Sequence, residues 1–268
     1  MLDLMSDLMK DQVNEIRTRR AAAGRPSVLL SGHQPVYLPG IILFNKIALS
    51  DLFMFVGHCQ YVKKSWHARN RIRLADHELW LSVPVMTAGH FDQSINQTRV
   101  VNNEIWKRKH LGSIGQAYRR APYFQPYYAE LEATLLAHHD SLGDLDVSLI
   151  RMILRWLGIQ TPILDSRNYE IQGNKTDMLI SMCHAAGADR YLSNEGSRVY
   201  VDERQMEEAG IIHCWQIFEH PVYTQGESFM PNLSVIDLIF NTGPAAGEIV
   251  RSSGHVVPGA CASMAEHA

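Results

Sequence analysis

The sequence predicts an α/β protein: a mainly parallel sheet with flanking helices, a β-hairpin insertion and a central helical segment. Three observations predict it. Between Ser27 and Val56, a short apolar run is followed by a loop, a helical stretch and a second apolar run, the signature of a βαβ unit. Around Asp76-His77 the pattern switches to alternation, with Ile72 and Leu74 on one side and Leu79, Leu81 and Val83 on the other. Beyond residue 160, short apolar runs and helical stretches alternate again.

Residues 1–26 read as an extension. Leu2, Leu4, Met5, Leu8, Val13 and Ile16 outline one amphipathic helix, and residues 21–26 its linker. The body, residues 27–250, reads as a single domain. Ser27 to Ser31 is a buried strand, Ile41 to Ala48 a helix and Leu52 to Val56 a second buried strand. Asn70 to Val85 is the hairpin. A helical insertion over about 103–158 holds stretches at Ile105 to Arg120, Pro126 to His139 and Leu145 to Leu157. The last carries Leu145, Leu149, Met152, Ile153 and Trp156 at helical spacing, with Gly158 as its stop. Thr161 to Leu164, Arg190 to Ser193 and Ile211 to Ile217 are strands. Lys175 to Ala186, Glu203 to Ala209 and Leu233 to Asn241 are helices, the last capped by Asn232 or Ser234. Small residues dominate from Ser252, so residues 251–268 are expected to be a flexible tail.

Composition narrows the function. Hydrophobic residues make up 46% and charged residues 20%, which suits a buried core, and a net charge of −3 gives no global field towards nucleic acid or anionic membrane. Cys59, Cys183, Cys214 and Cys261 form no disulfide framework or zinc-site spacing, as expected of reduced thiols. The N-terminus has no apolar signal core, and no stretch approaches the ~20 apolar residues that span a bilayer. The expectation is a cytoplasmic protein without membrane insertion. There is no HExxH and the histidines are dispersed, so no metal site is predicted.

In a parallel sheet, ligands bind beyond the carboxyl ends of the strands, which makes the loops after the strands the first place to look. His33 follows the first strand, between Gly32 and Pro35, and suits a general base or an oxyanion contact. Lys46 lies on a helix that is apolar on most sides and can neutralise a phosphate or carboxylate. Lys63, Lys64, Arg69, Arg71 and Arg73, interleaved with Tyr61, Trp66 and Asn70, form a local anion site; a charged hairpin edge in solvent would read the same way. Cys59 adjoins His58, but neighbours in a strand point to opposite faces and make no dyad. Ser193, Ser197 and Arg198 follow another strand end and can hold phosphate oxygens. Thr176 reads as a helix cap.

The string His33-Gln34-Pro35-Val36-Tyr37-Leu38-Pro39, with Lys46-Ile47 a helix later, resembles the opening signature of the WbqC-like family. The likeness continues through Gln60 to Ile72 and Val83-Pro84-Val85. It resumes at Pro122-Tyr123-Phe124, at Gly187 to Ser193 and at Phe229 to Asp237, spanning about residues 28 to 248. Members are associated with surface-polysaccharide and specialised-metabolite pathways. The resemblance therefore implies acyl or aminoacyl transfer, glycyl among the options, to a sugar or metabolite acceptor. It places His33, Lys46 and Gln60 in the catalytic set. Gln34, Tyr37, Lys63, Trp66, Arg69, Asn70, Ser193, Arg198 and Asp237 form the substrate-binding set. The implied donor is phosphorylated or carrier-bound, on tRNA, a carrier protein or coenzyme A. The opening strand, His/Pro loop, helix and strand are also similar to the first half of nucleotidylyltransferases and pantothenate synthetase, which implies, as the alternative, an adenylating enzyme or amide ligase using ATP and Mg²⁺. A non-catalytic nucleotide-sugar binding module is the third reading. All three rest on one spatial expectation: His33 and the cationic hairpin, Arg69 included, meet over one cleft.

Overall fold

The structure is a computed structural model that describes residues 13–18, 27–89, 92–226 and 228–260. A six-stranded sheet forms the centre. Its strands are β1 (Leu29–His33), β2 (Leu52–Phe55), β5 (Ile163–Asp165), β6 (Arg190–Ser193), β7 (Ile212–Phe218) and β8 (Gly254–Pro258). They lie in the order β5-β2-β1-β6-β7-β8, parallel except for β8, which runs antiparallel to β7. The chain thus starts mid-sheet, winds outward through β2 and β5, then crosses back to lay down β6 and β7. Strand order reverses between β1 and β6, so the loops leaving their carboxyl ends diverge and open a crevice.

Side-chain alternation divides the core. On one face Phe53 and Phe55, in edge-to-face contact at 5.1 Å, pack under α1 (Ile41–Ala48) and the helical segment. That segment comprises α2 (Glu104–Tyr118), α3 (Phe124–Leu136) and α4 (Leu142–Trp156). In α4, Leu142, Leu145, Leu149, Met152 and Ile153 are all fully buried, each worth ~1.5–3 kcal/mol of transfer free energy. Helix α3 starts two residues before Pro126, which sits in the first turn, where no amide proton is needed. The other face buries Leu30, Met54 and Tyr191 under α5 (Lys175–Ala186) and α6 (Glu203–Glu208). Gly187 closes α5 in the left-handed conformation (φ 64°). Residues 13–18 are helical and dock there: Val13 and Ile16 join this core and the Arg17 guanidinium donates to the Gly187 carbonyl at 2.7 Å. The rest of the expected extension lies outside the described residues.

The hairpin is a separate antiparallel pair, β3 (Arg69–Leu74) and β4 (His77–Ser82). Asn70 and Ile72 face inward while Arg69, Arg71 and Arg73 share the outer face. Helices α7 (Val235–Thr242) and α8 (Ala246–Ser252) complete the body. One expectation needs correcting. The loose tail from residue 251 is, over its described part, the end of α8 followed by β8, whose register pairs Trp215 with Val257. The strand is set by the free edge of β7, a tertiary partner that local composition does not reveal. Among the described residues, no helix is long and apolar enough to cross a membrane.

Candidate functional site

His33 ends β1 at the crevice. The loop after it turns on Leu38, whose φ of 41° is strained for a leucine, a cost of order 1–2 kcal/mol. Asn70 holds that turn from the hairpin: its amide donates to the Tyr37 carbonyl at 3.2 Å and the Leu38 carbonyl at 2.7 Å. The backbone N–H of Tyr37 donates to the Trp66 carbonyl at 3.2 Å, and His67 Nε2 meets Gln34 Oε1 at 2.7 Å. The strand-end loop and the approach to the hairpin are thereby one unit.

A carbonyl only accepts, so His33 Nδ1, 2.7 Å from the Gln34 carbonyl, carries the ring proton and Nε2 keeps its lone pair. Burial, the neighbouring Lys46 and His67 hold the His33 pKa down at about 4, although Gln34 opposes the shift. The imidazole is therefore neutral and proton-accepting across the physiological range. Lys46, 4% exposed, reaches back from α1 to donate to the Gly32 carbonyl at 3.0 Å. Among the described residues, no carboxylate lies within ion-pair distance of it, and burial lowers its pKa to about 7. An ammonium without a counter-ion is costly inside a protein and marks a place where an anion would be welcome.

Two cavities meet at His33. The first, about 360 Å³, lies at the strand-order reversal and is lined by Gly32, His33, Gln34, Lys46, Asn194 and Ser197, with Cys59, Tyr191 and Tyr200 around it. Tyr200 donates to Ser197 at 2.9 Å and Ser197 to Asn194 at 3.1 Å, so its far wall is a chain of polar groups. Thr176 pins that wall by donating to the Tyr200 carbonyl at 3.0 Å. Glycine at position 32 leaves room for the Met182 methyl, which a Cβ would displace at 2.4 Å, and for the Met54 carbonyl and Tyr191 hydroxyl, each 3.2 Å from such a Cβ. The second cavity, about 300 Å³, lies on the other side of His33, between the loop, the hairpin and the chain after β7. Val36, Ile42, Phe218 and Leu233 give it apolar walls, and Trp66, 48% exposed, stands at its mouth.

The expected residues divide accordingly. His33, Lys46 and Gln34 surround the polar cavity, while His33, Trp66 and Asn70 line the apolar one. The other expected residues lie elsewhere. Gln60 is exposed and reaches Asp92 at 3.5 Å, because the chain has turned away from β2 by then. Lys63 is exposed on the same loop. Tyr37 is fully buried with its hydroxyl 2.9 Å from His110 Nδ1. Arg69 lines neither cavity: its guanidinium stacks 4.5 Å over Trp80, while Arg71, two residues along the same face, lines the apolar one. Ser193 is buried against His213 Nε2 at 2.9 Å, and His213 in turn lies 3.7 Å from Glu203. Arg198 pairs with Glu195 at 2.6 Å and stacks on Trp215. Asp237 is fully buried, accepting from Tyr118 at 2.8 Å and from Tyr223 at 2.9 Å, beside a separate cavity of about 640 Å³. His213, His220 and Tyr200 lie outside the stretches of family likeness, and His67, inside one, has no local feature that singles it out.

Among the described residues, no cluster of His, Cys, Asp or Glu is arranged to hold a metal ion. The profile of the WbqC-like protein family matches residues 34–249, which takes in the lining of both cavities apart from Gly32 and His33. The chain is also 33% identical over 223 residues to "Uncharacterized protein Rv1507c" of Mycobacterium tuberculosis, an alignment covering 81% of this chain and 95% of that one. No solved structure matches.

Proposed function

The chain belongs to the WbqC-like protein family, and from that premise we propose that it is a transferase moving an acyl or aminoacyl group onto an amine or hydroxyl of a sugar or specialised-metabolite acceptor. One observation carries the reading: His33, with Nε2 unprotonated, is shared by a polar cavity containing a buried unpaired lysine and an apolar cavity. The bond made in the reaction then lies at that nitrogen. The negative end of the donor, a phosphate of a carrier or of coenzyme A, sits beside Lys46, where low polarity strengthens the attraction. His33 accepts the proton of the acceptor N–H or O–H as it attacks the donor carbonyl, and the imidazolium so formed passes that proton to the leaving group as its bond to the carbonyl carbon breaks. Cytoplasmic localisation goes with the carriers this reading requires.

The strand order supports a second reading, an ATP-dependent adenylating enzyme, because a crevice at a strand-order reversal is where doubly wound sheets take nucleotides. Release of AMP and pyrophosphate from ATP and Mg²⁺ with a carboxylate substrate would favour it over transfer from a preformed donor.

The test is complementation of a deletion strain, read by comparative mass spectrometry of acylated metabolites and glycans. His33→Gln is expected to abolish the product that wild-type protein restores, at equal protein level and equal melting temperature. Full product formation by His33→Gln would defeat the proposal.

A further inference from the structure

We infer that the apolar cavity beside His33 is the pocket for the transferred group, and that this group is hydrophobic: a hydrocarbon acyl chain or an aminoacyl group with a large apolar side chain. The inference rests on the transfer reading and narrows its substrate class, setting a hexose or a glycyl unit aside as occupants of this cavity.

The argument counts polar atoms. A sugar ring in a cavity needs partners for several hydroxyls, and each one left unmet costs free energy. Two of the polar side chains around this cavity, Asn70 and His220, are committed already, and a third, Arg71, is held in part. Asn70 holds the Tyr37 and Leu38 carbonyls, and its own oxygen accepts from the Arg71 N–H at 2.8 Å. Arg71 donates from Nη1 alone to both Glu78 oxygens, at 2.7 and 2.8 Å, and its Nε donates to the Asn232 carbonyl at 3.1 Å. His220 uses both nitrogens: Nδ1 lies 2.9 Å from the Pro221 carbonyl, and Nε2 accepts from the Asn232 N–H at 3.0 Å. Most of the remaining lining is apolar, with Val36, Ile41, Ile42, Leu43, Phe218 and Leu233 as its walls and the His33 imidazole at the junction. Taking ~30 Å³ per small group, 300 Å³ accommodates on the order of ten heavy atoms. That is far more than a glycyl group fills. The two cavities then suit the two ends of one donor, the charged carrier on the Lys46 side and the apolar acyl group on the other.

The experiment uses the full-length protein with methyl-labelled isoleucine and leucine. It is titrated in turn with N-acetylcysteamine thioesters carrying acetyl, butyryl, hexanoyl and glycyl groups, and with glucose. Affinity is expected to tighten roughly fourfold per added methylene. The largest methyl shifts are expected at Ile42, Leu43 and Leu233. Ile42→Trp, at a 41% exposed position, is expected to keep the wild-type melting temperature while losing the gain in affinity with chain length. An affinity independent of chain length, or the same methyls shifting with glucose and not with the hexanoyl thioester, overturns the inference. The His33→Gln complementation separates the two levels. A chain-length ladder beside full product formation removes the transfer reading and leaves the pocket assignment. Lost product beside a flat ladder does the reverse.

Discussion

Replacing Lys46 by methionine is expected to make the protein more stable and inactive. Methionine keeps the length and the apolar stem and removes only the buried charge. With a folded pKa of about 7 against 10.5 for the free side chain, the ammonium disfavours folding by about 4 kcal/mol at pH 7. The sign is explicit: between those two pKa values the unfolded chain binds more protons than the folded one, so wild-type stability rises with pH across that window. By pH 9 the penalty has shrunk to about 2 kcal/mol. Losing the hydrogen bond to the Gly32 carbonyl takes back about 1 kcal/mol. Lys46→Met is therefore expected to be about 3 kcal/mol more stable at pH 7 and about 1 kcal/mol more stable at pH 9. Urea denaturation of both proteins at pH 6, 7, 8 and 9 measures this, and subtracting the curves cancels every other titration. A variant less stable than wild type at pH 7, or a difference that does not change with pH, would refute the assignment of Lys46 as a buried, unpaired cation.

Other outcomes follow from the same geometry. For kcat/KM, the acid limb set by His33 is expected near pH 4 rather than 6.5, and activity is expected to fall above about pH 7 as Lys46 loses its proton; a single acid limb near 6.5 would contradict this. Asp237→Ala leaves the Tyr118, Tyr223 and Gln225 donors without their buried acceptor and should cost about 3 kcal/mol in urea denaturation, whereas Tyr118→Phe, which leaves two donors in place, should cost about 1. Truncation after Ser253 uncovers the edge of β7, so light scattering should reveal association, and a monodisperse monomer would deny β8 that protective role.

The frame was legible wherever local chemistry decides an element. Helices over Ile41–Ala48 and Lys175–Ala186 fall where the periodicity put them, the second because Gly187 alone tolerates the left-handed stop. His33 and Lys46 could be singled out because a histidine beside glycine and proline, and a lysine in an apolar helix, are locally anomalous. Arg69 was misplaced for the opposite reason: five cations in one segment look equivalent until packing against the opposite strand's Trp80 sorts them. Strand β8 and the buried setting of Asp237 depend on residues far away in the chain. Nothing near Gln34 in the sequence announces that its side chain will be held by His67.

The shared imidazole couples the two chambers. A phosphate arriving beside Lys46 cancels part of the field that depresses His33, so the proton affinity of the ring climbs once that chamber fills. On the proposed transfer reading, the acid limb for kcat is then expected to lie above that for kcat/KM, with the ring most basic once a donor is seated.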